Sequence, residues 1–89
     1  MGYHCSIVER WNPYAKIRQD LWGFADLLCI RENEIKAVQV TSYSNMSARI
    51  KKISEHENVG IVRSAGIKIE CQGWRKSGRQ WVVRVVDLS

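Results

Sequence analysis

Two polar residues interrupt apolar runs in this chain. Asp26 stands within Phe24-Ala25-Asp26-Leu27-Leu28-Cys29-Ile30, and Gln39 within Ile35-Lys36-Ala37-Val38-Gln39-Val40-Thr41. A buried carboxylate is costly unless it is paired or bound to a cation. The polar stretch Arg31-Glu32-Asn33-Glu34 separates the two runs, so they read as the strands of a hairpin. A cross-strand Asp26–Gln39 pair offers one charged and one neutral oxygen ligand, a set that suits a hard cation such as Mg²⁺. The backbone carbonyl of Val40 could add a third oxygen, and Asp20, in the preceding loop, could approach the same point. The simpler alternative is that Asp26 ends the hairpin or caps a turn while Gln39 faces solvent.

Basic residues form a second group of candidates. Asn45, Arg49, Lys52 and His56 recur at i, i+4, i+7 and i+11, one stripe of a helix. Such a stripe could follow a phosphate backbone, or it could be an ordinary solvated face. In Gly73-Trp74-Arg75-Lys76-Ser77-Gly78-Arg79-Gln80-Trp81, Arg75, Lys76 and Arg79 are interleaved with two indoles. Cations there could hold phosphate while Trp stacks on a base, or the indoles could simply pack on the sheet. Residues 1–45 carry five basic and five acidic side chains; residues 46–89 carry nine and four. The whole net charge of +5 therefore lies in the second half, which points to an anionic partner, nucleic acid first among them.

The elements that must position these groups follow from patterning. Residues 3–9 are β-branched and aromatic enough to read as a strand. Residues 12–23, holding the only proline, Pro13, read as a long polar connection that carries Lys16, Arg18 and Asp20. Strands over 24–30 and 35–41 come next. Ser42 or Ser44 can cap a helix whose core stripe is Met46, Ile50 and Ile53. Residues 59–63 fit a strand or a helical turn. Ile67, Ile69 and Cys71 alternate as a strand, residues 75–79 turn, and residues 80–86 return. The expectation is a single mixed α/β domain over residues 1–89, and this length excludes large cofactor-enclosing barrels.

Three cysteines, Cys5, Cys29 and Cys71, show no paired spacing. They read as reduced, small apolar side chains of a cytoplasmic protein, and they lack the spaced ligand set of a zinc site. No apolar stretch has the length of a membrane span or the pattern of a signal peptide. A core this small, with four Trp, also makes a homodimer plausible.

Asp26, thirteen residues before Gln39 and followed by a helix, resembles the PD-(D/E)XK nuclease superfamily, the restriction endonuclease-like fold shared by Holliday junction resolvases. Gly23-Phe24-Ala25-Asp26-Leu27-Leu28 is similar to that family's Asp strand, and Ala37-Val38-Gln39-Val40-Thr41-Ser42 to its second strand. The likeness spans about residues 3–57. It implies a central mixed β-sheet with one main helix after the third strand and a C-terminal β-hairpin. It also implies a metal-dependent endonuclease acting on DNA, branched DNA included, with Asp26, Gln39 and the Val40 carbonyl holding Mg²⁺ or Mn²⁺. The cation would activate water and stabilise the charge that develops on phosphorus.

The sequence departs from the family pattern in three places. Gln39 stands where Glu is commoner. Thr41 stands where the catalytic Lys belongs, and Lys16 or Arg18 would have to supply the missing charge. The family's first helix, often bearing a Glu, is not seen here; Glu9 falls on the first strand and is not equated with it. The resemblance therefore carries a second expectation, a nuclease fold that binds nucleic acid or a protein partner without cleaving.

Overall fold

The computed structural model describes residues 2–89. Seven strands form, β1 (His4–Ile7), β2 (Arg10–Asn12), β3 (Ile17–Gln19), β4 (Leu27–Arg31), β5 (Glu34–Ser42), β6 (Lys68–Ser77) and β7 (Gln80–Asp87). Two helices, α1 (Met46–Ser54) and α2 (Val59–Ser64), lie between β5 and β6, with a short 3-10 turn at Tyr43–Asn45 leading into α1. The main sheet has the order β1-β4-β5-β6-β7. Only the β5–β6 pair is parallel; the others are antiparallel. A parallel neighbour demands a crossover, and α1 and α2 are that crossover. The architecture is mixed α/β, as the patterning predicts.

Period-2 alternation decides which face the helices cover. Ala37 on β5 and Ile69 and Cys71 on β6 are buried with Met46 and Ile53 of α1 and with Val59 and Val62 of α2. Ile50 is half-buried against this cluster, completing the expected helical stripe. Gly73 makes the close packing possible: a Cβ there would lie 2.7 Å from Met46 Sδ. Gln39 shares the covered face with Ala37, two residues away, and sits level with Cys71 of β6.

Local expectations change or resolve: the turn expected over 75–79 is confined to Gly78 and Arg79, because β6 runs on to Ser77. The connection over 12–23 contains the small hairpin β2–β3. Its turn is closed by Asn12, whose Oδ1 accepts from the N–H groups of Tyr14 and Ala15, and by Lys16 at a φ of 55°. The ambiguous segment 59–63 is helical. The strand expected from Phe24 begins at Leu27, leaving Asp26 at its mouth.

The cysteines require a correction. Cys5 and Cys29 are directly opposed on β1 and β4 and are joined by a disulfide; Cys71 alone is free, and it is buried. Neighbouring strands bring together two residues 24 apart, a proximity no spacing rule contains. The cysteines therefore no longer argue for a reducing compartment. No helix among the described residues is long and apolar enough to cross a membrane.

Candidate metal centre

Asp26 is held from both sides by main chain. Its N–H donates to Val38 O at 2.8 Å, and its carbonyl accepts from Val8 N–H at 2.9 Å. The β4–β5 pairing ends with Leu27 opposite Val38, and Asp26, the bend residue just before β4, lies against the Val38–Val40 stretch of β5. The turn that delivers it, Asp20 to Phe24, is closed by Gly23 N–H donating to Asp20 O. Gly23 has a φ of 87°, and a Cβ there would fall 2.4 Å from His56 Nε2. His56 thus ends the polar stripe by packing edge-on to Phe24 and accepting from Asn58 N–H through Nδ1.

The predicted cross-strand pair forms. Gln39 Nε2 donates to Asp26 Oδ2 over 2.6 Å, and Val40 N–H donates to the same oxygen over 2.8 Å. Both side chains are buried, Asp26 at 9% and Gln39 at 3% exposure. Gln39 Oε1 is buried without a hydrogen-bond partner, an arrangement that ordinarily costs about 1–3 kcal/mol.

Asp20 joins this pair, and so does a residue that sequence reasoning set aside. Glu9, Asp20 and Asp26 each bring one carboxylate oxygen within 4.8 Å of the other two. Glu9 leaves the end of β1, and Val8 N–H on Asp26 O fixes that end against the mouth of β4. Its only sequence signal was a carboxylate at the end of the expected first strand; β1 itself stops at Ile7, and its pairing with β4 gives the position of Glu9 meaning.

Electrostatics reflect the crowding. Burial, and then the neighbouring Asp20 and Glu9, push Asp26 up to about 7, against the Val40 N–H that favours its charged form. Glu9 is shifted the other way, below the usual carboxylate range, chiefly because Arg18 Nη1 sits 2.7 Å from its Oε1.

These groups line an open cleft of about 290 Å³ with Arg18, Val40, Arg49 and Lys52. The helical stripe therefore divides: Arg49 and Lys52 reach the cleft, whereas Asn45 and His56 do not line it. Thr41 is also outside the lining, although it shares the strand face of Gln39. Lys16 sits in the β2–β3 turn, away from the cleft. Arg75 and Lys76 end β6 and Arg79 lies in the following turn; none of the three lines the cleft, and Arg75 stacks 5.0 Å over Tyr43.

The chain matches no protein-family model and no curated protein.

Proposed function

We propose that the cleft holds a divalent cation, Mg²⁺ or Mn²⁺, and that the protein acts on DNA phosphodiester bonds, with branched DNA as one candidate substrate. The observation that carries this reading is the convergence of three carboxylates within 4.8 Å beside a buried, unpartnered Gln39 oxygen. Hard oxygen donors of this kind fit such ions. A half-turn of the Gln39 amide exchanges Nε2 for Oε1 and offers a fourth oxygen to the cluster. The charge state fits too: Asp26 is pushed up to about 7 by burial and by two acidic neighbours, a repulsion that a cation would relieve.

When bound, the cation would polarise a phosphoryl oxygen and lower the cost of forming a nucleophile from water. The chain's own residues do the rest. Asp26, Asp20 and Glu9 hold the ion with the turned Gln39 amide beside them, and the Val40 N–H orients Asp26. Arg18, Arg49 and Lys52 line the acidic cleft with positive charge, which suits a phosphate approaching the carboxylates. The resemblance of the Asp26 and Gln39 strands to the restriction endonuclease-like fold points the same way.

A second reading is a module of this fold that binds nucleic acid, or a protein, without cutting it. Thr41 favours it, because a hydroxyl stands at the strand position where the resemblance expects a Lys and a hydroxyl brings no positive charge. Incubation with plasmid and four-way-junction DNA, with and without Mg²⁺ or Mn²⁺, separates the two. Metal-dependent nicking that disappears in Asp26→Ala supports the enzyme. Salt-sensitive binding without nicking supports the module. Absence of both cleavage and binding at low salt overturns both nucleic-acid readings.

A further inference from the structure

The edge strand β7 is built to meet another strand. Among the described residues it pairs only with β6, so its outer edge presents unpaired backbone groups along eight residues, about 27 Å. Five of those residues are apolar, and Trp81 and Val85 are 64% and 51% exposed. Edge strands are usually protected by Lys, Pro or a bulge. Within β7 there is no Pro or Lys, and its register against β6 is uninterrupted from Gln80 to Asp87.

We propose that β7 pairs antiparallel with β7 of a second copy of this chain, about a two-fold axis through Val83, to make one continuous sheet. A two-fold axis perpendicular to a sheet keeps each face on its own side, so a residue can oppose only one of its own alternation class. Three axes are then reasonable. An axis at Arg84 opposes two guanidinium groups. An axis at Val82 brings the turn residue Arg79 level with Val85 and gives Asp87, which lies near Lys36 and Lys68 of its own chain, no cation from the other copy. The axis at Val83 puts Val83 on Val83, Trp81 on Val85 and Arg84 on Val82. It also brings Asp87 of one copy level with Arg79 of the other, the turn residue just before β7, once at each end. Aromatic–β-branched pairs and opposite charges are the favourable cross-strand combinations. This charge match selects a second copy over an unrelated strand. The proposal is independent of the metal cleft, which α1, β4, β5 and the segment around β1–β3 build.

Sedimentation of the full chain over a concentration series tests it. The expected result is a concentration-dependent doubling of mass. Val83→Lys places two ammonium groups on the axis and should weaken association by about tenfold or more while leaving the far-ultraviolet spectrum unchanged. Asp87→Arg should also weaken it, and Arg79→Asp combined with Asp87→Arg should restore it. Val83→Cys adds one exposed thiol to a chain whose other cysteines are bridged or buried, and it should cross-link dimers under mild oxidation; Arg84→Cys should not. A chain that stays monomeric at every concentration, or a dimer indifferent to Val83→Lys and to the charge swap, overturns the proposal.

Discussion

Gln39 on β5 and Asp26, at the mouth of β4, meet side chain to side chain, with the Gln39 amide nitrogen donating to Asp26 Oδ2 while its own oxygen is left buried and unpartnered. The pair is satisfied on one side only. A cation would let the amide present its oxygen instead. Replacing Gln39 by Glu should therefore have opposite effects with and without metal. Without it, a fourth carboxylate enters a buried acidic cluster, and stability should fall by about 2–4 kcal/mol. With Mn²⁺ present, affinity for the ion should rise. Urea unfolding and calorimetric titration of the same variant read both signs; a Gln39→Glu protein that binds Mn²⁺ no better than the parent argues against ligation at this position.

The raised Asp26 carboxyl makes stability depend on pH. In the unfolded chain Asp26 ionises near 4, whereas in the folded protein it holds its proton to about 7. The folded state thus binds more protons in that interval. The contribution is fully present below about pH 4, is lost as pH rises towards 7, and changes little beyond. The slope should not exceed about 1.4 kcal/mol per pH unit. Asp26→Asn should flatten it. Because the cation competes with the proton, metal affinity should climb over the same interval. Urea midpoints measured from pH 4.5 to 8 check the first point, and Mn²⁺ titrations at those pH values check the second.

Glu9 was the part of the site that the sequence hid. Asp26 and Gln39 were legible because their hairpin is local: a polar turn of a few residues fixes which strand positions oppose, and each residue breaks an apolar run. Glu9 depends on β1 laying itself along β4, a pairing across some twenty residues that no local pattern specifies. The same non-local pairing hid the Cys5–Cys29 bridge. The β2–β3 hairpin was hidden for another reason. Its strands are only three residues each and show no clear alternation, and its turn rests on Lys16, a residue type that gives no hint of a positive φ. Arg49 and Lys52 were legible as members of a helical stripe, but that spacing alone could not tell which members reach the cleft.

Removing Glu9 should accordingly be felt at Asp26. Glu9→Gln eliminates one of the groups that raise Asp26, so the Asp26 carboxyl should titrate lower, and Asp20→Asn should shift it in the same direction. Carbon-detected NMR titration of the side-chain carboxyl reads the shift directly. An unchanged Asp26 titration in both variants would mean that burial alone raises it and that the three carboxylates do not act as a cluster.

Gly23 ties the helix end to the site. At a φ of 87° any side chain is strained, and a Cβ would collide with the His56 ring. Gly23→Ala should cost about 2 kcal/mol or more. His56→Ala in the same chain should recover part of that loss by removing the collision, leaving the backbone strain. A double-mutant cycle by chemical denaturation measures the coupling, and additive losses would mean that the ring moves aside freely.

Arg49 and Lys52 should govern contact with nucleic acid more than the hairpin cations Arg75, Lys76 and Arg79 do, because they line the cleft that holds all three carboxylates. If each neutralises one phosphate, Arg49→Ala or Lys52→Ala should lower the slope of log affinity against log salt by about 0.9 on duplex DNA. Lys16→Ala, in the turn away from the cleft, should leave the slope unchanged. Arg75→Ala breaks a stacking contact with Tyr43, so its effect should appear in stability before it appears in binding. Fluorescence anisotropy across a salt series, run beside thermal melts, separates the two kinds of loss. Equal slopes for all four variants would move the DNA-holding surface away from the cleft, and with it the phosphate from the carboxylates that are proposed to act on it.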